Sequence, residues 1–323
     1  VSEVQERQMI TQEGDNTHVF AIKGNFDDAQ TGVKKIFNDS DFAEKLAGMG
    51  CKLSSANSIN IGRLVPQVAY YVYGYAKLIE RGVIKAGDKV NIVVPTGNFG
   101  NILAAYYAGQ MGIPVNRFIC ASNKNRVLTD FFENGKYDIN RDFYLTNSPS
   151  MDILISSNLE RLLYHLSGND GDEIKSLMDA LENEKHYMVN DKIREGMKDF
   201  CGGSATVEET NETIGQMYDE HRYLMDTHTA VAYKVYKDYV EKTGDETPTL
   251  IASTASAYKF AESVAQAIGL AKEDNGFEYV KAVEAATGVK VPSGLRDLDK
   301  KEIRHRDVIE IPDMISAVES SVK

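Results

Sequence analysis

The stretch VNIVVPTGNFGNILAAYYAGQMG, beginning at Val90, constrains the fold more than any other part of the chain. β-Branched residues run through Pro95-Thr96 into Gly97-Asn98-Phe99-Gly100-Asn101, and an alanine-rich helical pattern follows. A buried strand that feeds a helix through such a loop leaves the first helical N–H groups without intrahelical partners, pointing outward with the positive end of the helix dipole. The loop is therefore a ready anion site, most often for phosphate. The residues alone leave a second reading open, in which two glycines simply make a strand-to-helix turn.

Neighbouring segments repeat the alternation. The apolar run Val19 to Ile22 precedes Val33, Ile36 and Phe37 at helical spacing. From Ser54, SSANSINIGRLVPQVAYYVYGYAKLIERG reads as a polar loop and a long apolar helix, with Pro66 in its first turn or kinking it and Gly82 closing it. Strand Val90 to Val94, helix Ile102 to Met111 and strand Arg117 to Ala121 follow. From about residue 125 to 225 the pattern is helical and charged; TLIAST and AYKFAESVAQAIG then restore the alternation, and DVIEIPDM ends it as a short strand. This order predicts an α/β fold: a parallel sheet with helices on both faces and a helical insertion.

Composition narrows the partners. With 323 residues and 42% hydrophobic side chains the chain can bury a substantial core. Lys plus Arg number 36 against 48 Asp plus Glu, and the formal net charge of −12 argues against nucleic acid or an anionic membrane. Any phosphate site must be local. Cys51, Cys120 and Cys201 are scattered, without C-x-x-C spacing, and the histidines show no ligand spacing, so neither a disulfide framework nor a metal site is expected. The expected setting is reducing and cytoplasmic, with no apolar run near the ~18 residues of a membrane helix.

In open parallel sheets, ligands bind at the carboxyl ends of the strands, and three polar clusters fall where such ends should be. The first is Gly97 to Asn101. The second, Ser54 to Asn60 with Arg63 just beyond, joins hydroxyls and amides to a forked, permanently charged donor. N-capping by Ser58 or Asn60 beside a solvated Arg63 is the alternative. The third is Ser253-Thr254-Ala255-Ser256, either a helix cap or a neutral hydroxyl for a ligand heteroatom. His228, Asp152, Asn158, Glu160 and Arg161 can line a site or serve only local structure. Lys259 reads as a charge facing solvent or a helix C-terminus.

SSANSINIGRLVPQ, VVPTGNFGNILA, NSPSMDILISSNLERLL, DTHTAVA and STASAYKFAES, in this order and at these separations, closely resemble the threonine synthase family. The resemblance implies a two-lobed fold-type II PLP-enzyme architecture, tryptophan synthase β-like, with 1–55 the remainder of an incomplete first, smaller lobe and 56–323 the large lobe. It implies that Gly97, Asn98, Phe99, Gly100 and Asn101 cradle the phosphate of pyridoxal 5′-phosphate (PLP), and that the Thr254 hydroxyl meets the pyridine nitrogen. It further implies that Asn57, Ser58 and Arg63 hold the phosphate of a small-molecule substrate, O-phospho-L-homoserine, on its way to threonine. The family's Schiff-base lysine, in a Phe-Lys-Asp context, falls upstream of the segment matching Val1, so this chain is expected to be inactive alone. Members often read His-Pro where Ser256-Ala257 stand here. Two other readings stay open: a non-catalytic phosphosugar- or nucleotide-binding module, and another fold-type II β-replacement enzyme.

Overall fold

The structure, a computed structural model, describes residues 2–24 and 26–322; residues 1, 25 and 323, which belong to the segments 1–55 and 56–323, lie outside the described residues. The strands are β1 (Ala21–Ile22), β2 (Val90–Pro95), β3 (Val115–Ser122), β4 (Lys136–Asp138), β5 (His186–Met188), β6 (Phe200–Ser204), β7 (Thr249–Ile251) and β8 (Val308–Ile309). The main sheet has the order β6-β3-β2-β7, and all of its pairings are parallel. β1 and β8 form a separate parallel pair, and β4 and β5 an antiparallel one.

Every residue of β2 is buried, as expected of a strand covered on both faces. The two faces separate by the period of two. Ile92 and Val94 pack with Ile102, Leu103 and Ala105 of the helix Gly100–Gln110, whereas Val93 joins Val231, Ala232 and Val235 of the helix Thr227–Thr243. The predicted strand Val90 to Val94 and helix Ile102 to Met111 therefore form with their boundaries shifted by one or two residues.

The expectation of a helical insertion over 125–225 needs correction at β6, which belongs to the main sheet. Its sequence, FCGGS, carries little strand signal. Its glycines answer to helix packing instead. A Cβ on Gly202 would lie 2.6 Å from Thr129 Cα, and one on Gly203 would lie 2.5 Å from Val235 Cγ1, so helices close onto both faces of the strand. In the long helix after Ser54, Pro66 acts as the kink, one of the two expectations for it. It divides the helix into Ile61–Leu64, a 3-10 turn Val65–Gln67, and Val68–Glu80.

Residues of the N-terminal third pack in two places. Val4 joins the cluster of Tyr258, Phe277, Val283 and Leu298, while Ile36, Phe42 and Leu46 pack with Met314, Ile315 and Val318. Ile61, Val65, Tyr70 and Tyr73 are exposed, Tyr73 at 66%. Among the described residues no helix is long and apolar enough to cross a membrane.

Candidate active site

At the carboxyl ends of β2 and β7 lies a cavity of about 880 Å³. Ser58, Arg63, the loop Gly97 to Asn101 and Thr254 all line it, so one cavity unites the three polar clusters. Asn57 does not line it. Its carboxamide oxygen accepts from Ile59 N at 2.9 Å and from Ser55 Oγ at 2.7 Å, a local turn that shapes the loop presenting Ser58.

The helix Gly100–Gln110 begins without a side-chain cap. Its N-cap position is Phe99, at φ 62° and ψ 1°. A left-handed phenylalanine is strained, and packing holds it. Its ring is 1% exposed and packs against Phe132 and Phe200, with ring centroids 6.0 and 6.3 Å away. Leu103 N donates to Phe99 O at 3.0 Å, but the N–H groups of Gly97 through Ile102 find no protein acceptor among the described residues. Such a run of free donors at a helix start is the geometry an anion requires.

The carbonyls of the same loop are held from behind. Ser156 Oγ donates to Gly97 O at 2.8 Å, and Asn158 donates to Asn98 O from both its backbone N, at 3.2 Å, and its Nδ2, at 2.7 Å. Asn158 is completely buried, and its Nδ2 also reaches Ser58 Oγ at 3.0 Å. Arg161 donates to Ser58 O at 3.1 Å, Ile59 O at 2.5 Å and Asn158 Oδ1 at 2.7 Å, tying the Ser58 loop to the glycine loop. Asn158 and Arg161 thus position both loops, while buried Asp152 closes its own turn by accepting from Thr146 N at 2.9 Å and Asn123 Nδ2 at 2.7 Å. Sequence reasoning missed Ser156 altogether; the polar run Ser156-Ser157-Asn158 between apolar segments was the available signal.

Two glycines make the close approaches. Gly97 does not take a positive φ; its constraint is space, because a Cβ there would sit 2.5 Å from Ser150 O. A Cβ on Gly100 would sit 2.4 Å from Ser58 Cβ, so the Ser58 side chain packs directly on the helix start. Asn101 spends its side chain sideways, accepting from Tyr71 Oη and donating to Gln67 Oε1 at 2.9 Å. Burial pushes the Tyr71 phenol far above its ordinary range and keeps it a donor.

On the opposite wall, the Thr229 and Ser253 hydroxyls lie 3.1 Å apart, Ser256 caps the turn Ala257–Phe260 through Tyr258 N at 3.3 Å, and the Thr254 hydroxyl has no partner among the described residues. His228 lines the cavity and is 3% exposed. Its Nε2 accepts from Ser150 N at 3.2 Å, which leaves the proton on Nδ1, facing Asp226 Oδ1 at 3.3 Å. Burial raises the Asp226 carboxyl, but hydrogen bonds from His228 and Thr229 outweigh it and hold the group below the usual range. The guanidinium of Arg63 has no hydrogen-bond or ion-pair partner among the described residues.

The comparisons with known proteins fall on the same architecture. Residues 229–322 match the family model described as "Threonine synthase, C-terminal". The chain is 45% identical over 279 residues to threonine synthase-like 1 of Homo sapiens, covering 85% of this chain and 37% of that protein. It is 39% identical over 268 residues to threonine synthase of Pseudomonas aeruginosa, covering 83% of this chain and 54% of that one. The crystal structure of PLP-bound threonine synthase from Brucella melitensis superposes on it with a TM-score of 0.81 and 35% identity, covering 100% of this chain and 62% of that one. The architecture is therefore that of the fold-type II PLP enzymes, an α/β class with its cavity at the carboxyl edge of a parallel sheet. Within that class, the matches are to threonine synthases, and the C-terminal domain of that family falls at residues 229–322. It spans 37% to 62% of the length of these relatives.

Proposed function

We propose that this chain contributes the cofactor-phosphate cup and the substrate-phosphate clamp of a threonine synthase, which converts O-phospho-L-homoserine and water to L-threonine and phosphate. The single observation that carries the reading is the run of free N–H donors from Gly97 through Ile102. They suit a phosphate monoester, and the space above Gly97 is already filled by Ser150, so the backbone itself must make the contact.

In this reading the N–H groups of Gly97, Asn98, Phe99, Gly100 and Asn101 hold the 5′-phosphate of PLP. Thr254 offers a neutral hydroxyl to the pyridine nitrogen and so leaves that atom without a proton. When bound, PLP supplies the electron sink that the elimination and the addition of water both need. Ser58 and Arg63 receive the substrate phosphate, on a loop shaped by Asn57 and fixed by Asn158 and Arg161. Arg63 binds the leaving phosphate where charge accumulates as its bond to the γ carbon breaks, an interaction that strengthens toward the transition state. His228 keeps its Nδ1 proton directed at Asp226 and fixes the Ser150 backbone beneath Gly97. We assign 1–55 to the smaller lobe and 56–323 to the large one, with the last helix of the chain packing on the cluster of Ile36, Phe42 and Leu46 through Met314 and Val318.

The test is to supply O-phospho-L-homoserine and PLP to the complete protein carrying this chain and to measure threonine and phosphate together. Equal formation of both upholds the reading. Phosphate without threonine favours a lyase of different outcome, in line with the "like" in the human relative's name. Binding of phosphosugars with indifference to PLP favours a non-catalytic module.

A further inference from the structure

We infer that Lys259 is a second cation of this cavity and binds an anionic group of the substrate, a deepening that rests on the function proposed above. Although Asp and Glu outnumber Lys and Arg by 48 to 36 in the chain, no carboxylate lines the cavity. Its charged lining consists of Arg63 and Lys259. A cavity furnished with cations alone, in an acidic protein, concentrates anions at one place on its surface.

The position of Lys259 is fixed by its backbone. It lies in the 3-10 turn Ala257–Phe260, its N donates to Ser256 O at 3.0 Å, and its carbonyl accepts from Ser2 Oγ at 2.9 Å. The next residue, Phe260, is buried and packs on the His228 ring at a centroid distance of 4.8 Å. Lys259 borders a neighbouring cavity of about 540 Å³ as well, where Glu3, Glu262, Glu273 and Asp274 stand. None of these acids pairs with it among the described residues, and Glu3 is already engaged by Gly276 N at 2.7 Å. Lys259 is half-buried and its ammonium has no protein acceptor among the described residues, so it is available to an anion in the cavity. The backbone cup already suits the cofactor phosphate, so the anion left for Arg63 and Lys259 is the substrate's, either its phosphate or its α-carboxylate.

The experiment compares Lys259→Gln and Lys259→Arg with the parent protein in saturating PLP, using inorganic phosphate and L-homoserine as separate probes, followed by calorimetry. Lys259→Gln is expected to weaken one of the two probes about tenfold, the usual worth of a charge-assisted hydrogen bond. Lys259→Arg is expected to restore it, and PLP affinity should stay unchanged. Loss confined to phosphate assigns Lys259 to the phosphate end; loss confined to L-homoserine assigns it to the carboxylate, and both uphold the anion-binding role. If neither probe weakens while PLP still binds, the role of Lys259 is overturned and the proposed function stands. If the parent protein binds neither PLP nor O-phospho-L-homoserine, both inferences fall.

Discussion

Replacing Gly97 by alanine tests the cofactor cup with a single carbon. The added Cβ would lie 2.5 Å from Ser150 O. Ordinary contact needs about 3.5 Å, so loop and carbonyl must separate by about 1 Å. Ser150 cannot easily supply that movement, because its N–H is held by His228 Nε2 at 3.2 Å and the next turn is closed by Met151 N to Ser148 O at 2.9 Å. Most of the displacement therefore falls on the loop, whose donors would move beyond the ~3.2 Å limit of a good hydrogen bond to a phosphate oxygen. Losing one or two charge-assisted bonds at about 1.5–3 kcal/mol each predicts PLP binding weakened by about 3 kcal/mol, on the order of a hundredfold. Pyridoxal, which lacks the phosphate, should be bound equally by parent and variant. Fluorescence titration with both compounds measures this, and Gly171→Ala, where a Cβ meets nothing within 4 Å, serves as the control. A folded Gly97→Ala protein that binds PLP within twofold of the parent would refute the cup.

Further outcomes follow from the same geometry. Arg63→Ala in the complete protein should lower kcat/KM for O-phospho-L-homoserine by about 2–4 kcal/mol in transition-state terms, leaving PLP affinity unchanged; steady-state kinetics beside a PLP titration checks it. Asp226 has a depressed folded pKa, so its charged form contributes stability that is complete above the unfolded value of about 3.9 and is lost as pH falls through the folded value. The stability difference between the parent and Asp226→Asn in urea titrations should accordingly be full near pH 6 and shrink at lower pH. Val65 and Tyr73 are 54% and 66% exposed and are expected to favour association, so the double variant Val65→Lys with Tyr73→Lys should reduce concentration-dependent light scattering without changing PLP affinity.

What the sequence determined by itself was local. β2 was legible as an unbroken apolar run because a strand covered on both faces must be one, and the loop after it was legible because a helix start leaves donors free. The other two clusters were legible as polar breaks at strand or helix ends, but not as parts of one site. Only the tertiary structure joined them. Asn158 to Asn98 and Arg161 to Ser58 tie the first two together across 60 and 103 residues, the pairing of β7 with β2 brings in the third, and no local pattern encodes such partners. β6 was illegible for a related reason: Gly202 and Gly203 suit their place because Thr129 and Val235 press on the strand, and packing density there overrides strand propensity. Gly97 shows the two levels in one residue. Sequence marked it as a turn glycine, whereas the fold uses its missing Cβ to admit Ser150 and gives it no positive φ. Backbone freedom is read from a residue's chain neighbours, but the space around it belongs to whatever the rest of the chain packs there.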